Sequence, residues 1–389
     1  MKALIVGAGI CGPVTAMALQ RVGIETSSYE AHPPTTKTVG SYLTVATNGL
    51  DAFRAIGAEG PLLAAGFPTH EMVMFSGTGK RLGVVPLGGR LPDGTVSHTI
   101  RRSDLHAALL DEAARRGLHT AFGKRLVDAE HTNRGVVARF DDGSETRGDL
   151  LIGCDGVHSV TRRLIDPTAP APRYVGLLNF GGYTASVSAG TQGAWQMIFG
   201  KRAFFGYAAV PEGGTVWFAN VPRRPSTREE RETTTLEEWK RWLIDQFAGD
   251  GGPASDLIAS GRLELAADNT HDLPSVPHWS RGSMIVIGDA AHAPSPSSGQ
   301  GASMAVEDAV ILAACLRKTQ DTREAFAAYE RQRRKRVERI VAQGARTSSS
   351  KAAGPIGRRV RDLMLPFIFR YVVTGKSMGW IYDHRVQSS

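Results

Sequence analysis

Six residues near the start of the chain, Gly7-Ala8-Gly9-Ile10-Cys11-Gly12, limit its fold more than any other stretch. They follow the apolar run Lys2 to Val6 and open the apolar-periodic segment Ile10 to Val22, after which Ile24 to Tyr29 reads as another strand. That order predicts a βαβ unit. In such a unit each glycine of a GxGxxG turn has a task. Gly7 permits the tight turn, Gly9 lets a diphosphate approach the backbone, and Gly12 lets helix and strand pack closely. Glu30 ends the second strand, where a carboxylate accepts hydrogen bonds from an adenosine ribose. Glycines, strand, helix and acid together predict a dinucleotide site, with the diphosphate on unpaired N–H groups of the helix. NAD and FAD satisfy this pattern equally.

The rest of the chain must build around that unit. Its 389 residues exceed one minimal core and predict two domains. Arg102 to Arg116 carries Leu105, Leu109, Leu110 and Ala113 at helical spacing, and Gly148 to Cys154 reads as a buried strand running into a turn at Asp155-Gly156. From about Tyr174 to Leu265 the pattern changes to short aromatic and β-branched runs, Trp195 to Phe199, Phe204 to Val210 and Thr215 to Val221, separated by turns. Met284 to Ile287 returns to a buried-strand pattern ending in Gly288-Asp289, and helical spacing follows. The expected fold class is α/β: a Rossmann-like domain of residues 1–70, 98–173 and 275–345, an inserted sheet-rich substrate domain of 71–97 and 174–274, and a C-terminal helical segment of 346–389.

A net charge of +8 favours anions such as a dinucleotide phosphate or a carboxylate-bearing substrate. The most basic run, Arg331 to Arg339, has helical spacing with Phe326, Tyr329, Val337 and Ile340 as a buried stripe, so it reads as a solvated helix face. It lacks the interleaved aromatics of a nucleic-acid surface. Cys11, Cys154 and Cys315 have no CxxC spacing for zinc or dithiol chemistry, and no metal is expected. The opening run lacks the regions of a signal peptide, and Leu363 to Val373 is interrupted by Pro366 and Arg370 and too short to span a bilayer, so a cytoplasmic protein is expected. Neither GxSxG nor HExxH occurs, and Gly375-Lys376-Ser377 has Arg370 where a phosphate loop needs its first glycine.

Two further segments point to FAD. Leu150 to Arg162, containing Asp155-Gly156, and Gly288-Asp289-Ala290-Ala291-His292-Ala293-Pro294 resemble the paired DG and GD motifs of class A flavoprotein aromatic hydroxylases, the group of p-hydroxybenzoate, salicylate, 3-hydroxybenzoate and urate hydroxylases. The resemblance extends to Arg102, Pro296, Gly299-Gln300-Gly301-Ala302-Ser303 and Glu307-Asp308-Ala309, and spans residues 1 to about 345. Asp289, at a strand end, suits ribityl or ribose hydroxyls. The Gly299 to Ser303 segment enters a helix, so its N–H groups suit the flavin's pyrimidine edge, where negative charge grows on reduction. By resemblance Arg102 contacts the FAD phosphates, Leu126 meets the adenine through its backbone, Ala31 and Thr44 lie beside the cofactor, and Asp155 belongs to a segment that serves both nucleotides.

The resemblance implies non-covalent FAD, transient NADH or NADPH, and O₂ used through a C4a-hydroperoxyflavin to hydroxylate a small electron-rich aromatic or heteroaromatic substrate. No second GxGxxG occurs, as expected if the pyridine nucleotide binds only in passing. An epoxidase or reductase of the same superfamily is the alternative; a halogenase would carry a WxWxIP stretch, which is missing. Asn179 and Arg202 resemble purine-holding positions of urate hydroxylase, while Ser297 stands where that enzyme would have aspartate and Trp217 where it would have tyrosine. His292 reads as a packed, hydrogen-bonded histidine rather than a base. The protein is expected to be a monomer or homodimer that binds no nucleic acid and has no integral membrane segment.

Overall fold

The computed structural model describes residues 1–34, 41–133, 135–185, 192–351 and 354–386. Lys2–Val6, Cys11–Arg21 and Glu25–Glu30 form strand, helix and strand, with the two strands paired in parallel. Leu150–Gly153 pairs on the other side of the first strand, Met284–Val286 follows it, and Thr120–Phe122 extends the far edge, all in parallel. The short Ser280–Arg281 closes a six-stranded sheet as its one antiparallel member. These central strands are nearly all apolar and fully buried, as strands covered on both faces must be. Helices Cys11–Arg21 and Gly301–Lys318 pack with them, and Leu4, Ile5, Met17, Ile152, Ile285, Met304 and Val306 share one core.

A second sheet of seven strands takes Glu71–Ser76 and Arg81–Pro86 from early in the chain and Arg173–Thr184, Ala194–Phe199, Phe204–Ala209, Thr215–Pro222 and Arg262–Asp272 from later. One face carries Phe180, Phe205 and Trp217 and is covered by helices Leu236–Phe247 and Ala254–Ser260, which supply Trp239, Leu243, Phe247, Leu257 and Ile258. The sequence texture of this region showed only the strands, although the capping box of Thr235 and Glu238 and the helical spacing of Trp239, Leu243 and Phe247 mark the first of these helices. The other face carries Trp195, Met197, Phe204 and Phe218 and is only partly covered, by Leu365 and Phe369 of the helix Pro355–Tyr371.

The helix Thr322–Lys351 runs through the position where the sequence pattern placed the end of the nucleotide domain. Phe326, Tyr329, Val337 and Ile340 are buried along it, matching the stripe expected from spacing. Its basic run is not simply a solvated face: Arg333 is fully buried. The guanidinium donates to Glu307 and Asp308, each at 2.6 Å, because a buried cation requires paired carboxylates. Among the described residues no helix is long and apolar enough to cross a membrane, and no cluster of three His, Cys, Asp or Glu side chains suits a metal ion.

Candidate active site

The glycine turn is shaped by close approach. Gly7 has φ +96°, and a Cβ there would lie 2.5 Å from the carbonyl oxygen of Cys154. A Cβ on Gly12 would collide with the carbonyl oxygen of Gly7. Gly9, by contrast, is exposed with nothing within 4 Å of a Cβ. Two of these glycines therefore serve the protein's own packing, and the third faces open space. Glu30 accepts from the N–H of Ala8 at 2.7 Å and of His32 at 2.9 Å, which fixes its carboxylate beside the turn and next to Ala31. Lys124 donates its N–H to Glu30 O at 2.8 Å, bringing the start of the strand Leu126–Thr132 to the same edge, with the Leu126 side chain buried.

The DG and GD segments, far apart in sequence, meet because their strands are neighbours. Ile287 donates its N–H to Gly153 O at 3.1 Å, and the buried guanidinium of Arg162 donates to Val157 O at 2.8 Å and Ala290 O at 3.0 Å. Asp155 turns inward. Its carboxylate accepts from Ser159 Oγ at 2.6 Å and from Thr161 N and Oγ1 at 2.9 and 3.0 Å, so it holds the start of the helix Val160–Ile165.

Asp289 faces the other way, into a recess. It is accessible from outside yet surrounded by protein, and this burial raises its carboxyl above the ordinary range. The charges of Arg102 and His292 pull it back down, and Asp308 adds to the rise. Arg102 is exposed, and its guanidinium has no hydrogen-bond partner among the described residues. His292 Nε2 is 2.6 Å from Asp308 Oδ2, which also accepts from Gly288 N at 2.9 Å. The histidine is thus a buried support of the loop. Glu307 completes the frame, accepting from Arg333, Arg336 and Asn48, while Asn48 also donates to Gln300 Oε1 at 3.0 Å.

Beyond that frame Pro296 and Gly299 are exposed, Gly301 and Ala302 half-buried. Helix Gly301–Lys318 has no side-chain cap on its first turn, and neither does helix Cys11–Arg21. They meet at Gly288, where a Cβ would lie 3.0 Å from Cys11 Sγ and 3.6 Å from Ala305 Cβ. Two helix starts without side-chain caps, a cation with no hydrogen-bond partner among the described residues and a carboxyl raised by its surroundings thus lie around a single recess. That donor and acceptor set fits a dinucleotide carrying both phosphates and hydroxyls.

The second sheet supplies the opposite wall. Residues paired across strands share a face, so Asp268, Asn179, Asn220 and Phe204 form one row, with Phe218 and Met197 on the same side. Trp195 Nε1 donates to Thr99 Oγ1 at 3.1 Å and Thr44 Oγ1 at 3.3 Å, which ties this face to the first domain's strands. Asp268 feels the charge of Arg102, so the row runs to the recess. Asn179 is in the row, with its Oδ1 accepting from Asn220 Nδ2 at 3.0 Å. Arg202 is not. It is exposed and its guanidinium donates to Asp245 O and Ala248 O, at the end of the helix on the far side of the sheet, so the structure does not bring it to the row. Trp217 also lies on that far side, stacked on Phe205 with Nε1 bonded to Thr184; Phe218 is the aromatic that faces the row. A strand's alternation carries no label for which face is which, and that was the missing information.

Known proteins resemble this chain over most of its length. Residues 1–344 match a family described as FAD binding domain. An FAD-dependent urate hydroxylase of Klebsiella pneumoniae is 33% identical over 352 residues, with 88% of each chain covered. An aurachin C monooxygenase/isomerase of Stigmatella aurantiaca is 30% identical, covering 88% of this chain and 87% of its own. Among solved structures, Klebsiella pneumoniae HpxO complexed with FAD and uric acid has a TM-score of 0.83 at 28% identity, covering 98% of this chain and 97% of that one.

Proposed function

Because this chain belongs to the FAD binding domain family and is a class A flavoprotein aromatic hydroxylase, we propose that the recess between its two sheets is where an aromatic or heteroaromatic substrate is hydroxylated with NAD(P)H and O₂. FAD is the cofactor, and the protein is a flavoprotein monooxygenase. When bound, FAD supplies the redox chemistry, accepting electrons from NAD(P)H and committing one oxygen atom of O₂ to the ring.

The protein's own groups bind, orient and shield. The open backbone at Gly9 and the uncapped start of helix Cys11–Arg21 would take the diphosphate, with Arg102 as counter-charge and Glu30 on the adenosine ribose. Asp289 would accept from flavin-side hydroxyls. The uncapped start of helix Gly301–Lys318, with Pro296, Gly299 and Ala302 beside it, would meet the ring edge that gains negative charge. Trp195, Phe204 and Phe218 make an apolar wall that keeps water from the reacting ring, and Asn179 with Asn220 gives it polar points of orientation. The observation that carries this reading is the convergence of Asp289, Arg102 and two uncapped helix starts on one recess that the second sheet overlooks.

Its test is direct. The purified protein is expected to be yellow or to become so with FAD, and a screen of phenols and heteroaromatic compounds to find ones that stimulate NAD(P)H consumption and gain one oxygen by mass. A product gaining two hydrogens would favour a reductase. A protein that stays colourless with added FAD would remove the basis of the reading.

A further inference from the structure

We propose that Lys351 is an anion-binding residue of the substrate chamber, taking the carboxylate or phenolate of an aromatic acid that lies against Phe218. Lys351 ends the long helix Thr322–Lys351, and its Nζ donates to Asn220 Oδ1 at 2.8 Å. The same ammonium stands 4.1 Å from the centre of the Phe204 ring and 5.8 Å from that of Phe218. Asn220 in turn donates to Asn179, so the cation joins the polar row of the chamber wall.

What is missing around it points to a ligand. No carboxylate among the described residues pairs with this lysine: its neighbours are one amide and two aromatic rings, all uncharged. The acid on the row, Asp268, lies two strands away and feels the charge of Arg102. Arg361, from the next helix, stacks over Phe199. Burial accordingly pushes the Lys351 ammonium down to about 7. A half-buried ammonium without a counter-ion among the described residues carries a cost, and an anion entering the chamber relieves that cost while gaining a charge-assisted hydrogen bond. The rings beside it give the anion's aromatic body something to lie against. The substrate class is therefore an aromatic acid or acidic phenol, held by Lys351 at its charged end.

This rests on the assignment of the second sheet's open face as the substrate wall, and the experiment separates the two. The probes are salicylate and 4-hydroxybenzoate with their neutral amides, salicylamide and 4-hydroxybenzamide, titrated into the FAD-loaded protein and followed by the flavin's visible absorbance. At pH 6 the unaltered protein is expected to bind at least one acid about tenfold or more tighter than its amide, the value of one charge-assisted bond. Lys351→Met and Lys351→Gln are expected to erase that preference while leaving FAD content and amide affinity in place, and Lys351→Arg to keep most of it. Acid and amide weakening together in the variants would mean that the lysine only ties helix to sheet, and would overturn the proposal. So would acid affinity unchanged by either variant, or no preference for the acids in the unaltered protein. A protein that cannot be loaded with FAD fails the functional reading itself, and is recognised before any probe is added.

Discussion

Arg162 reaches across the sheet to Ala290: its Nη1 donates to that residue's carbonyl at 3.0 Å, while Nη2 holds Val157 O at 2.8 Å. One buried guanidinium thereby clasps the segment after one strand to the loop that presents Asp289. Arg162→Met would leave both carbonyls unsatisfied, at roughly 1–3 kcal/mol each. Expected are a lower melting temperature and FAD released about tenfold more readily on dialysis, read from the ratio of flavin to protein absorbance. An unchanged ratio would show that the clasp does not position the loop.

Gly9 and Gly12 separate cofactor binding from folding. Gly9→Ala adds a methyl where nothing lies within 4 Å, so the melting temperature of the FAD-free protein is expected to stay the same while FAD affinity drops. Gly12→Ala drives a methyl into the carbonyl of Gly7 and is expected to lower both. Calorimetry on apoprotein, paired with flavin titration, distinguishes the two patterns.

Asp289 sits where burial raises its carboxyl, so the folded protein holds that proton more firmly than the unfolded chain. Its contribution is favourable at low pH and is lost as pH rises through the raised value, which makes the ionised group a cost at neutrality. Asp289→Asn is therefore expected to raise the melting temperature of apoprotein at pH 7, with the gain vanishing toward pH 3, and to weaken FAD retention. A variant equally stable and fully yellow would contradict both halves.

Glu307 and Asp308 behave oppositely. Burial alone would raise both, but Arg333 and Arg336 outweigh it for Glu307, and His292 and Arg333 for Asp308, holding each down to about 2. Their stabilisation is present above the ordinary carboxylate range near ~4 and lost as pH falls toward 2. Arg333→Met takes one partner from each buried carboxylate, leaving Glu307 to Arg336 and Asp308 to His292, and is expected to cost about 3 kcal/mol at pH 7, the lower end for breaking a buried pair. Urea midpoints measured from pH 7 to pH 3 should show the variant losing less on acidification, because its carboxylates take up protons sooner.

The cofactor side of this protein was legible in its residues because the requirements there are local: a glycine without room for a Cβ, an acid ending a strand, a helix start left uncapped. The substrate side was not. Alternation along Thr215–Pro222 reveals two faces but not which one looks at the recess, where the structure puts Phe218 and not Trp217. Arg202 illustrates the same limit, being two residues from Phe204 in sequence yet bonded to the end of a helix across the sheet. Arg333 was hidden for another reason: its carboxylate partners come from a different helix, and nothing in a run of basic residues announces which one turns inward. Lys351 closes a helix of low mean hydropathy whose spacing gives no hint of what its last side chain touches.

That helix carries Arg333 near its middle and Lys351 at its tip, about 27 Å apart at 1.5 Å per residue. It is one continuous helix fixed at two separate places. One is bolted into the carboxylates beneath the Asp289 loop and the other rests on Asn220. No slack linker interrupts the helix, so the spacing between Asn220 and the carboxylates beneath the Asp289 loop is set by a single element of secondary structure.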